Sequence, residues 1–155
     1  MKLHELVVQL GNELGIQNAK LNEQKVCNLT IGDNLVITIE EDETGDAAYL
    51  SSRLCFIPQM EEQRIALFDV LMEAHSFGLA TGDAYFSATP ATGRVIITRR
   101  FDLETITWQK FKEGIEAFAR VVQYWLEAIN SGLIYNQKSV ASNQDGSQAE
   151  AWVQI

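Results

Sequence analysis

"LMEAHSFGLATGDAYFS", residues 71–87, mixes two kinds of side chain. Glu73, His75, Ser76 and Asp83 are residue types that hydrolases use. Leu71, Met72, Phe77, Leu79, Tyr85 and Phe86 are types that pack in a core or an interface. His75 and Ser76 are neighbours on a run of helical period, so their side chains diverge by about 100° and do not face each other. The two glycines follow a helix and precede a strand. A phosphate cradle has the opposite order and leads into a helix N-terminus. Gly78 therefore reads as the cap of the helix and Gly82 as a turn residue. The stretch is helix end, turn and strand, and the question becomes what its apolar members pack against.

The pattern extends outward on both sides. Upstream, "MEEQRIALFDVLMEAHSFGLA", residues 60–80, predicts a helix with Glu61 and Glu62 at its positive end. Ile65, Phe68, Met72 and Leu79 form one stripe, and Leu67, Leu71 and Ala74 a second beside it. A helix covered on two sides, by its own sheet and by a second subunit, has such a broad apolar arc. Downstream, "GDAYFSA" and "GRVIITRRF" are strands joined by the turn "TPATG". A last helix is expected from Leu103 to Asn130, with Phe111, Ile115, Phe118, Val122, Trp125 and Ile129 on one face and Gly132 just beyond.

Further towards the N-terminus, Leu3, Leu6, Val7, Leu10 and Leu14 mark a first helix ended by Gly15. The sequence "KVCNLTIGDNLVITIEED", residues 25–42, then changes to period two, with "GDN" as the hairpin connection. The acidic run "EEDETGD", residues 40–46, leads to a third strand, "AAYLSSRLCFI". Its oxygen spacing lacks the central Gly and closing Glu of an EF-hand loop, so it reads as a solvated hairpin loop. The order is α-β-β-β-α-β-β-α: an α+β fold with an antiparallel twisted sheet packed with three helices. Residues 1–133 form the expected domain. The polar stretch "NQKSVASNQDGSQAEAW" makes 134–155 an expected flexible tail.

Composition narrows the function. The chain has 155 residues, 21 acids against 12 bases and a formal charge of -9. Such a balance disfavours nucleic acid and an anionic membrane surface as partners. No apolar run is long enough to span a bilayer, and the N-terminus lacks the h-region of a signal peptide, so a cytoplasmic location is expected. Cys27 and Cys55 lack CxxC spacing and read as small hydrophobes rather than a disulfide. Two separate histidines and two separate cysteines offer no metal-ligand cluster. Without a GxSxG elbow, a dinucleotide fingerprint or a P-loop, no catalytic residue and no cofactor is expected.

Together the ordered pieces carry a resemblance. "LMEAHSFG", "GDAYFS", "RVIITRRF" and "FARVVQYWLEAI", preceded by one helix and three strands, resemble the class I type III secretion chaperones of the Tir chaperone (CesT-like) family over about residues 1–131. His75 stands where that pattern has Asn. The resemblance implies a cytoplasmic, ATP-independent homodimer that holds the N-terminal region of a secreted effector extended. It adds the export-apparatus ATPase as a further candidate partner. By the same resemblance the dimer interface maps to Phe68, Leu71, Met72, His75, Tyr85 and Phe86. Effector-binding residues map to Leu3, Leu6, Leu10, Leu29, Ile31, Val36, Ile37, Leu54 and Phe56. Val36 stands apart from the rest, because it lies on the face opposite Leu35 and Ile37 and a one-sided core does not need it. The competing expectations are a regulatory or sensing relative of the same fold without a secreted client, and a small hydrolase using His75.

Overall fold

The computed structural model describes residues 2–135 apart from 17 and 33. The elements in chain order are α1 (Leu3–Leu14), β1 (Val26–Ile31), β2 (Leu35–Glu41), β3 (Ala47–Phe56), α2 (Glu61–Ala74), β4 (Ala84–Thr89), β5 (Arg94–Asp102) and α3 (Trp108–Asn130). This is the α+β order expected from the periodicities. All strand pairs are antiparallel, and the sheet order is β1-β2-β3-β5-β4.

Period-two burial sorts the strands into an inner and an outer face. Leu35, Ile37 and Ile39 of β2 are buried, whereas Val36 between them and Glu40 after them are exposed and Thr38 is half-buried. The inner face continues through Leu29, Leu50, Val95 and Ile97. α3 packs on β2, β3 and β5, and α1 packs against α3. Every buried residue of α3's main stripe was marked by its four-and-three spacing: Phe111, Ile115, Phe118, Val122, Trp125 and Ile129. α2 adds Leu67, Leu71 and Ala74 to the same core.

Two helix limits differ from the sequence expectation. α2 stops at Ala74, because Phe77 and Gly78 take the left-handed φ values of 55° and 68°. Two consecutive left-handed residues cannot continue a right-handed helix, so residues 76–78 form a single 3-10 turn instead. α3 begins at Trp108 rather than Leu103. Thr107 is its N-cap and accepts from the Lys110 N–H, while Leu103 is buried in the preceding turn. At the far end Ile134 is buried in the core, so packing runs past residue 133. The rest of the tail lies outside the described residues.

The sheet is not closed uniformly. β1 and β2 pair along their whole length, from Val26↔Glu40 to Ile31↔Leu35. β2 and β3 pair only from Thr38↔Ser51 to Glu41↔Ala48. Beyond that, β3 pairs with β5 alone, through an irregularity between Arg53 and Cys55. A bulge of that kind bends its strand and raises the local twist. The tip of the β1–β2 hairpin therefore diverges from β3.

Candidate functional site

Two surfaces carry exposed apolar side chains. The first lies where α2, the 3-10 turn and the edge strand β4 meet. A hollow of about 200 Å³ is lined there by Phe68, Leu71, Met72, His75, Phe86, Ser87, Ala88 and Val95. His75 holds its floor. Its Nε2 accepts a hydrogen bond from the Phe86 backbone N–H at 3.1 Å, and its ring meets the Phe86 ring edge-on at 5.0 Å. An Nε2 that accepts must lack a proton, so this contact selects the imidazole that carries its proton on Nδ1. Phe86 stacks edge-on against Trp125, also at 5.0 Å. The Trp125 indole N–H donates to the Ala80 carbonyl at 2.9 Å. The β4 edge is thus tied by side chains to both α2 and α3.

Around this hollow the surface is apolar and open. Met72 is 69% exposed and Phe77 99% exposed, with Ile65, Leu79 and Tyr85 also exposed. Several large apolar side chains are therefore exposed on α2, on the turn that follows it and on β4. Among the six residues expected in an interface, Phe68, Leu71, Met72, His75 and Phe86 line this hollow, while Tyr85 is exposed on β4 next to Phe86 and does not line it. Leu71 is only 4% exposed and also belongs to the chain's own core. Phe77 was missing from the expected set. Its signal, an aromatic beside a glycine at a helix end, reads as helix interior until the left-handed backbone is seen.

The second surface is the split between β2 and β3. One cleft of about 420 Å³ is lined by Asn34, Val36, Thr38, Ser51, Ser52, Arg53, Arg94, Ile96 and Leu126. An adjoining cleft of about 590 Å³ shares Asn34, Arg53 and Leu126 and adds Ile31, Leu35, Leu54, Gln123, Glu127 and Asn130. Leu126 belongs to α3, on the inner side of the sheet, so the opening reaches from the outer face through to the helix layer. Val36, as its alternation implied, is exposed on the outer face. Phe56 is exposed beneath Arg53, whose guanidinium lies 5.3 Å from the ring centroid. Ile31 is half-buried. Leu3, Leu6, Leu10, Leu29, Ile37 and Leu54 are buried at 5% exposure or less. These six side chains belong to the chain's own core, and Leu54 among them also lines the second cleft. Helical and strand stripes mark what is apolar, but not which partner covers it. Arg53 and Leu126 were absent from the expected set, because neither stands out before the split between the strands is known.

No arrangement of nucleophile and base forms at either surface among the described residues. His75 Nε2 is engaged by a backbone N–H rather than by the Ser76 hydroxyl. Burial pushes the Cys55 thiol up from its ordinary value. Burial pushes the Cys27 thiol up as well, against a smaller opposing hydrogen bond with the Lys20 backbone. Both changes disfavour a thiolate nucleophile. The acidic loop folds on itself: Asp42 Oδ1 accepts from the N–H groups of Gly45, Asp46 and Ala47. Its carboxylate already serves the turn.

Comparison with known proteins places this geometry. A model of the Tir chaperone protein (CesT) family matches residues 5–126. No curated protein matches the chain. Solved structures match by fold at low identity. A chain of the ExsC–ExsE complex has 16% identity and a TM-score of 0.62, covering 82% of this chain and 96% of that one. A chain of the HopA1–SchA chaperone–effector complex has 15% identity and a TM-score of 0.64, covering 80% and 92%. A chain of the heterodimeric ExoU–SpcU complex, from the type III secretion system of Pseudomonas aeruginosa, has 12% identity and a TM-score of 0.59, covering 80% and 94%.

Proposed function

This chain belongs to the Tir chaperone protein (CesT) family, and from that premise we propose that it is a homodimeric type III secretion chaperone of the bacterial cytoplasm. In this role it binds the N-terminal chaperone-binding region of one or more secreted effectors, keeps that region extended and soluble, and helps target it for export. It works without ATP and without catalysing a reaction.

The observation that carries this reading is the extent of the family match. It runs from within α1 to within α3 and takes in all five strands and both apolar surfaces. The physics agrees with a binding role. Extended segments bind through apolar pockets and exposed strand groups, with affinity spread over many modest contacts. Among the described residues no helix is long and apolar enough to cross a membrane. The α2–β4 face, with Met72 and Phe77 in the open, supports a second copy of the chain as its cover. The complexes solved for structural neighbours support an effector as the other partner.

A tagged copy expressed in its host under secretion-inducing conditions tests both parts. The expected result is a stoichiometric secreted protein bound through its N-terminal region to two copies of this chain. A dimer that brings down no secreted protein would instead favour a regulatory relative of the same fold. The export-apparatus ATPase is a further partner to look for in the same material.

A further inference from the structure

The split between β2 and β3 differs in charge from the chain taken as a whole. The chain as a whole carries -9. The cleft that opens on the outer face is lined by two arginines, Arg53 and Arg94, and by no acid among the described residues, whereas Glu127 lines the adjoining cleft that shares Arg53. Both arginines are exposed, and neither enters an ion pair among the described residues. Arg53 is held over the Phe56 ring, which restricts the guanidinium without neutralising it.

The backbone around the cleft is also short of ladder partners. No β2–β3 pair extends past Thr38↔Ser51, so Leu35–Ile37 and Ser52–Leu54 face each other without a ladder. One of the groups left over is the Val36 carbonyl. It is satisfied by the Ser52 hydroxyl at 2.8 Å, a side chain standing where a neighbouring strand would donate. Val36 and Leu126 supply apolar walls.

Resting on the chaperone reading, we propose that this split is a client subsite that takes an extended segment in which an apolar side chain stands next to a carboxylate. The apolar side chain packs between Val36 and Leu126. The carboxylate meets Arg53 and Arg94. The segment's main chain bonds to strand groups that the split leaves without a ladder partner. Extended backbone fits because strand groups are recognised by strand geometry. A carboxylate fits because guanidinium–carboxylate bonds are charge-assisted and can be bidentate. At physiological salt, charges beyond about 8 Å are screened, so the two arginines act against Glu127 of the adjoining cleft rather than against the whole negative charge of the chain.

The test uses the full chain and two short labelled peptides of alternating residues, valine with glutamate and valine with lysine. Binding is read by fluorescence anisotropy at physiological salt. The net charge by itself favours the lysine peptide. The expected result is the reverse, with the glutamate peptide about tenfold tighter. The double variant Arg53→Glu, Arg94→Glu should abolish that preference while solution mass and circular dichroism stay unchanged. If that variant misfolds, Arg53→Gln with Arg94→Gln supplies the same reading. A preference for the lysine peptide, equal binding of the two, no measurable binding of either, or a glutamate preference that survives the variants would overturn the proposal. The chaperone reading is judged separately by whether the unaltered chain brings down a secreted protein.

Discussion

Gly114 shows how one missing carbon sets a packing distance. A Cβ built there would run into the Phe101 ring. Phe101 is itself buried, packed on Phe111 and overlaid by the Arg99 guanidinium. Arg99 also donates to the Gly114 carbonyl at 3.2 Å and pairs with Asp83 at 2.8 Å. Gly114→Ala gains helix propensity of about 1 kcal/mol but forces an overpacked core that costs about 1–3 kcal/mol. We expect net destabilisation, read as a lower urea midpoint with unchanged slope. His75 is a second test at this scale. His75→Ala removes the acceptor for the Phe86 N–H and is expected to cost about 1 kcal/mol. His75→Asn keeps an acceptor oxygen and should restore most of that stability in the same chemical denaturation series. A hydrolase reading predicts instead that both variants lose turnover alike. Phe77 holds an unfavourable left-handed φ while almost fully exposed. A strained backbone at an exposed aromatic fits the proposed contact role of this face.

At the scale of elements, the β2–β3 hairpin depends on one carboxylate. Desolvation pushes the Asp42 carboxyl up. That is outweighed by hydrogen bonds from the Ala47 N–H, the Thr44 hydroxyl and the N–H groups of Gly45 and Asp46, so the group sits below the usual carboxylate range. A carboxyl whose folded value is lowered adds stability that is fully present above its unfolded value and is lost as pH falls through the folded one. Acidification below about pH 4 should therefore weaken this hairpin, read as faster amide exchange at Gly45–Ala47. Asp42→Asn should show the fast exchange already at neutral pH and little further change on acidification. α1 and α3 are joined differently. Glu13 accepts from both the Trp108 indole N–H and Lys112 Nζ. The carboxylate raises the Lys112 amine above its ordinary value, first through that hydrogen bond.

At the scale of the molecule, the core and the proposed interface lie on adjacent stripes of α2, and substitution can separate them. Leu71→Ala opens a cavity in the chain's own core and should cost about 2–4 kcal/mol of stability. Met72→Glu touches only an exposed position and should leave the fold intact. In the proposed dimer it buries a charge without a partner, which is strongly unfavourable. Sedimentation or light scattering should then report a monomer for Met72→Glu and a dimer for the native chain. A native chain that is monomeric at the same concentration would remove the proposed interface.

Local sequence determined the element order, the hairpins and the inward face of each strand and helix. Periods of two and about 3.6 follow from backbone geometry alone, and Leu35, Val36 and Ile37 display their opposite faces without any knowledge of partners. Turn chemistry was legible for the same reason, since Gly15 and Gly132 end helices by local φ. The left-handed Phe77 was not, because a bulky residue takes that backbone only when its surroundings require it. The assignment of apolar residues to core or surface was also out of reach. Leu3, Leu6, Leu10, Leu29, Ile37 and Leu54 look no different in sequence from residues that meet a partner, and only the packing of α3 on the sheet and of α1 against α3 shows that they are already covered. The split between β2 and β3 arises from the twist and bulge of one strand against its neighbours. It brings Arg53, Arg94 and Leu126, residues far apart in the chain, around one cleft, and a juxtaposition of that kind is decided by tertiary structure, because no local period records the distance between separate elements.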